Sequence, residues 1–155
     1  IQERLHHLWD KEGDYDISHR TLYNVNQRVA ETYYVGRVLL AGDACHINNP
    51  LGGMGMNGGL HDGNNLAAKL VSILRDGEAH IPLFDQYNRQ RRDLAVRFVQ
   101  EHTIANKKLM EATDTDTQVA RQKMLMETAA DPVKAKAFLL ERAMINCVRD
   151  SEAVA

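Results

Sequence analysis

The sequence is short of the features that would place it in a special environment. Its two cysteines, Cys45 and Cys147, lie far apart with no CxxC spacing, which excludes a disulfide framework or a clustered zinc site and fits a reducing compartment. No apolar run reaches the length of a membrane span and nothing resembles a signal peptide, so no membrane partner is expected and the chain is read as cytoplasmic. Net charge is small: 19 Lys and Arg against 21 Asp and Glu leave −2, which gives no electrostatic ground for nucleic acid. What remains is an ordinary soluble composition, 44% hydrophobic and 26% charged, in 155 residues, one domain's worth of chain. It opens on the amphipathic IQERLHHLWDKEG with no initiator methionine, and we expect a piece of a longer protein.

Hydrophobic periodicity predicts a mostly helical chain. Residues 1–12 set Leu5, Leu8 and Trp9 on one helical face, with Gly13 as the stop. An extended stretch is expected around Thr21 to Val25. Val38, Leu39, Leu40 and Ala41 form a continuous apolar run closed by Gly42, the pattern of a short strand buried on both faces. Leu60, Leu66, Leu70, Ile73 and Leu74 then recur at helical spacing before Gly77. A long helix is expected from Pro82 to about Ala112, its arginines facing water. ATDTDT, 112 to 117, is a polar break before a third helix, and Asp131 with Pro132 opens a fourth whose stripe is Val133, Ala137, Leu140, Met144 and Val148.

Between strand and helix lies PLGGMGMNGG, five glycines in ten residues. Gly53, Gly55 and Gly58 spell GxGxxG, but a dinucleotide fingerprint needs its first glycine directly after a strand, and here residues 42–52 intervene. The acid about 20 residues on, Asp76, sits at a helix end rather than on a second strand. The spacing describes something else: a strand, Gly42-Asp43, a loop turned by Pro50, then glycines running into a helix N-terminus. Gly42 permits close backbone approach, Asp43 can accept hydrogen bonds from a polyol, and N–H groups around Gly55 to Asn57 present a positive dipole end. A sugar-like chain with an anionic head group suits this arrangement.

GRVLLAGDACHINNPLGGMGMNGGLHDGNNLAAKL, residues 36 to 70, resembles the second flavin-binding motif of the FAD-dependent aromatic hydroxylases, the p-hydroxybenzoate hydroxylase-like flavoprotein monooxygenases. Looser similarity covers YNVNQRVAETYY before it and FDQYNRQRR after it, where Gln90 stands in the place of a family glutamate. Cys45 stands where the family has alanine, a change between small buried residues expected to be harmless. The resemblance implies that Asp43 holds a ribityl hydroxyl, that Gly42 passes the flavin chain, and that Pro50 borders the isoalloxazine beside the substrate. It implies further that Gly52, Gly53 and Gly55 follow the ring edge, while the backbone N–H groups of Met56 and Asn57 stabilise negative charge on it. The chemistry implied is reduction of FAD by NADH or NADPH and transfer of oxygen to a small aromatic substrate.

The implied fold is a partial α/β one, the C-terminal portion of the hydroxylase-like FAD-binding fold without its N-terminal Rossmann half. Residues 1–35 would end the substrate-side region, 36–112 would carry the flavin motif and the long helix, and 113–155 would form a helical extension. Two other readings stay open: a helical interaction or oligomerisation domain with an idle glycine loop, motivated by the Val133 to Val148 stripe, and a non-redox nucleotide-binding module. The stripe also leaves open a homo-oligomer through the C-terminal helices. No metal site is expected, since His46 and His61 beside Asp43 and Asp62 read as hydrogen-bonded structural residues, and Arg89, Arg91 and Arg92 read as a solvated face.

Overall fold

A computed structural model describes residues 1–111 and 114–154 of the chain. It is mostly helical with a few short strands, as expected. In chain order it contains α1 (Gln2–Leu8), β1 (Arg28–Val29), β2 (Tyr34–Val35), β3 (Val38–Leu39), a 3₁₀ turn (Gly42–Ala44) and β4 (His46–Ile47). There follow α2 (Met54–Arg75), α3 (His80–Leu94), a π-helical segment (Ala95–Gln100), α4 (Glu101–Glu111), α5 (Thr115–Ala130), α6 (Pro132–Arg142) and α7 (Ile145–Glu152). The expected boundary at 112/113 falls outside the described residues.

The strands make two antiparallel pairs. β2 and β3 form a hairpin with Tyr34 opposite Leu39, turned at Gly36, whose φ of +58° suits glycine. β1 pairs with β4, Arg28 opposite Ile47. The apolar run at Val38 is therefore a two-residue strand followed by extended chain, and Val38 is 68% exposed because no layer covers its outer face among the described residues. The extended stretch expected at 21–25 forms no ladder; Leu22 and Tyr23 are exposed and pairing begins at Arg28. β propensity without a neighbouring strand does not make a strand. Likewise α1 ends at Leu8, with Leu8 and Trp9 both exposed.

α2 starts earlier than its leucine spacing suggests and buries a different face. Its buried residues are Met54, Gly58, Asp62 and Lys69, while Leu60 and Leu74 are exposed. Gly58 and Gly59 explain the contact: a Cβ on Gly59 would stand 3.2 Å from the Gly42 Cα, so the helix backbone lies directly against the 3₁₀ turn. The helix from His80 runs through the π segment to Glu111, longer at its start than Pro82 indicated. Asp131 caps α6 as expected, accepting from the Val133 and Lys134 N–H groups, and Asp114 caps α5 through Thr117. The stripe from Val133 to Val148 is interrupted: the chain breaks at Met144, which takes φ +63°, and Val133 is 78% exposed.

Two clusters form the core. Met54, Leu94, Phe98, Val99 and Met144 join α2, the long helix and the α6–α7 junction, with Cys147 and Val148 against them. Tyr33, Cys45, Tyr87 and Ala95 join the hairpin, the turn after it, α3 and the start of the π-helical segment. Replacing the 5%-exposed Phe98 by alanine is expected to lower unfolding stability by about 3–5 kcal/mol, while Trp9→Ala should change it by less than about 0.5 kcal/mol. Urea unfolding of both variants checks this; similar losses would mean that the Phe98 cluster is not the core.

Candidate functional site

The strand, turn and helix that sequence spacing joined are held together by one buried carboxylate. Asp62 is fully buried on α2. Its Oδ1 accepts from Arg91 Nε at 2.7 Å, and its Oδ2 accepts from the Gly42 N–H at 3.1 Å and lies 2.7 Å from His46 Nε2. An ionised carboxylate only accepts, so His46 donates through Nε2. Burial alone would push the Asp62 carboxyl up, but hydrogen bonds from His46 and Arg91, with their charge, outweigh it and hold the group below the usual carboxylate range.

Arg91 is therefore not part of a water-facing run. It is 2% exposed, whereas Arg89 is exposed and Arg92 donates to the Ala30 carbonyl at 3.1 Å. One exposed, one buried and one half-buried, backbone-bound arginine in four residues defeat a reading based on a basic run. The nucleus Cys45, His46 and Asp62 has its ligand atoms within 4.8 Å, spacing that suits a metal, yet the carboxylate is already committed to the Arg91 cation. Cys45 is buried, its Sγ lies 3.2 Å from the Gly42 carbonyl, and burial pushes its thiol up to about 12, so it stays protonated. Gln90 accepts from Asn65 and Lys69 and donates to the Val154 carbonyl at 2.8 Å, a bond that a carboxylate in its place could not make.

Beside this anchor lies a cavity of about 410 Å³. Asp43, Pro50, Gly53, Gly55 and Met56 all line it. Of the other expected residues, Gly42 sits behind Asp43 with φ +61°, Gly52 lies under α4, and Asn57 turns its side-chain amide back onto the Gly53 carbonyl at 2.9 Å. Gly53 is the N-cap of α2 with φ +68° and supplies no side-chain cap. By helix geometry the N–H groups of Met54, Gly55 and Met56 then precede the hydrogen-bonded ladder, so the open donors begin two residues before Met56. A Cβ on Gly55 would meet Asn48 Oδ1 at 3.3 Å, which keeps the first turn narrow.

The far wall was not foreseen. The irregular 23–26 segment, with Tyr23 and Asn24 to Asn26, faces the loop across the cavity, joined by Ile47 and Asn48. Asp43 is the single charged side chain in that lining. An exposed carboxylate, an uncapped helix N-terminus and a glycine-lined rim meet in one concave surface, which can hydrogen-bond a polyol and stabilise an anion without a cation of its own. These features fit a flavin.

Comparison with known proteins agrees. The FAD binding domain family model matches residues 1–102. Para-nitrophenol 4-monooxygenase of a Pseudomonas species is 34% identical over 132 residues, 85% of this chain and 32% of that protein. The 3-(3-hydroxy-phenyl)propionate/3-hydroxycinnamic acid hydroxylase of Comamonas testosteroni is 37% identical over 119 residues, 77% of this chain and 20% of that one. The crystal structure of p-nitrophenol 4-monooxygenase from Pseudomonas putida superposes with a TM-score of 0.76 at 30% identity, covering 94% of this chain and 38% of that structure. The chain thus spans between 20% and 38% of the length of these relatives. Among the described residues no helix is long and apolar enough to cross a membrane.

Removing the charge at the anchor should be costly. Asp62→Asn is expected to lose about 3–5 kcal/mol at neutral pH, because Arg91 stays buried without its counter-charge. The lowered carboxyl contributes stability that is complete above its unfolded pKa, about 3.9, and is lost as pH falls through the lower folded value. Urea midpoints measured from pH 7 to pH 3 should therefore fall less steeply at the acid end in Asp62→Asn than in the parent sequence; parallel curves would remove Asp62 from that role.

Proposed function

The chain belongs to the FAD binding domain family, and we propose that it forms one wall of the FAD site in a flavin-dependent aromatic monooxygenase. The observation that carries this is the single cavity in which Asp43, Pro50 and the glycine-lined start of α2 converge. Asp43 would accept a hydrogen bond from a ribityl hydroxyl, and Gly42 would let the flavin chain pass close to the backbone. Pro50, Gly52, Gly53 and Gly55 would border the ring system. The open N–H groups at the start of α2, Met56 among them, would stabilise negative charge on the ring, with Asn57 holding the turn through its side chain.

Bound FAD, reduced by NADH or NADPH, would supply activation of O₂ and oxygen transfer to a small phenolic substrate. The chain's own part is to bind, orient and polarise. The relatives' names, nitrophenol monooxygenase and hydroxyphenylpropionate hydroxylase, support an aromatic substrate. Within this reading residues 36–112 carry the flavin motif and long helix, 1–35 close the substrate side, and 113–155 are a helical extension. The cavity has one wall of a flavin site and no second βα unit among the described residues to take the adenylate end, so this chain by itself should bind FAD weakly or not at all.

A visible absorption spectrum of the purified 155-residue chain, before and after FAD addition, tests the last statement; a stoichiometric flavin spectrum would overturn it. In the longer protein that contains this chain, Asp43→Ala is expected to raise the FAD Kd about 10- to 100-fold, the loss of one charge-assisted hydrogen bond of roughly 1.5–3 kcal/mol. An unchanged Kd in a fluorescence-quenching titration would remove Asp43 from the cofactor site.

A further inference from the structure

The family model matches residues 1–102, and α5–α7 lie beyond it. We infer that this C-terminal extension positions the glycine loop of the cavity, through Arg142 and Asn106 as positioning residues. Asn106, on α4, donates from Nδ2 to the Leu51 carbonyl at 3.3 Å and accepts at Oδ1 from Arg142 Nη1, the last residue of α6, at 3.1 Å. The chemistry fixes the direction. A guanidinium only donates and a peptide carbonyl only accepts, so the bridge between them must be a group that does both, as the Asn106 amide does.

The same nitrogen explains a glycine. A Cβ on Gly52 would stand 2.6 Å from Asn106 Nδ2, and Gly52 takes φ +103°. Loop and α4 are thus in contact at the residue where the chain bends toward the cavity. Arg142 is also steadied by Phe138, its guanidinium lying 5.4 Å from the ring centroid.

A second contact leads from the extension to the same place. Met144, at the α6–α7 junction, is 2% exposed and shares a core cluster with Met54, the first residue of α2. It holds φ +63°, an unfavourable conformation for a long side chain, which persists where surrounding packing fixes it. One end of the loop, Leu51–Gly52, is therefore held by the polar bridge, and the other, Met54, by apolar packing.

The inference rests on the flavin reading only for its consequence, since loop order is measurable without cofactor. Hydrogen–deuterium exchange on the 155-residue chain should show about tenfold faster exchange at the hydrogen-bonded loop amides of Leu51 and Gly53 in Arg142→Ala, with the middle of α2 unchanged. Asn106→Asp discriminates further: it keeps, and adds charge to, the acceptor for Arg142 but loses the donor to Leu51, so the loop should loosen although the contact between α4 and α6 persists. Unchanged loop exchange in both variants would overturn the inference, as would acceleration spread evenly over α2 and α3. In the longer protein Arg142→Ala should raise the FAD Kd several-fold. Failure of the unsubstituted protein to bind FAD would sink the flavin reading alone, and leave the exchange result to decide this one.

Discussion

The buried carboxylate of Asp62 is the interaction on which the rest of the molecule depends. Taking a charge out of water is expensive, and a lone buried carboxylate would not be tolerated. Here its oxygens are met by the Arg91 guanidinium, the His46 ring and the Gly42 N–H. These come from α3, from β4 and from the 3₁₀ turn, so one side chain of α2 fixes three separate pieces of chain at hydrogen-bond tolerance. Apolar packing of the same area would be as stabilising but would not dictate direction. Because the Gly42 N–H is one of the partners, the peptide leading into Asp43 is oriented by the anchor, and the cavity inherits its polar wall from a charge pair buried behind it.

The glycines divide along the same line. Gly42 and Gly59 let two backbones touch, and Gly58 leaves room for the His46 ring, whose Cε1 would stand 3.2 Å from a Cβ there. Gly52, Gly53 and Gly55 shape the loop and the first turn of α2 instead. A string of five glycines therefore serves two jobs, of which the resemblance addressed one. The packing glycines are what allow Asp62 to reach the turn at all.

Much of this was legible and some was not, for physical reasons. Caps are local, so Asp131 with Pro132 could be read directly, and the strand, Gly-Asp, Pro and glycine spacing singles out residues that line a common cavity. Apolar periodicity misled at α2, because it presumes that the buried face is the greasy one, whereas here Gly58, Asp62 and Lys69 are inside and Leu60 and Leu74 are outside. Arg91 was assigned to water because its carboxylate lies 29 residues earlier on another helix, a distance at which a charge run carries no partner information. The 23–26 segment carries only a loose resemblance with no residue role attached to it, and the bend at Met144 could not be seen because its stripe continues at helical spacing on both sides.

The side chains that touch the loop directly are neutral amides, with the Arg142 guanidinium one residue removed behind Asn106. Asn49 donates to Gln27 and to the Thr103 carbonyl and accepts from the Leu51 N–H, Gln100 donates to the Ile47 carbonyl, and Asn106 bridges Leu51 to Arg142. The π-helical segment Ala95–Gln100 ends at the first of these helix residues, and Gln100, Thr103 and Asn106 follow at three-residue spacing on the side that meets the loop. Amides both donate and accept, so a network of them can satisfy irregular backbone without adding a field. Ions placed there would compete with Asp43 and with the dipole of α2 for whatever enters the cavity. Keeping the Asp62–Arg91 pair behind the turn and neutral amides beneath the loop leaves the helix N-terminus and one carboxylate to set the electrostatics of the site.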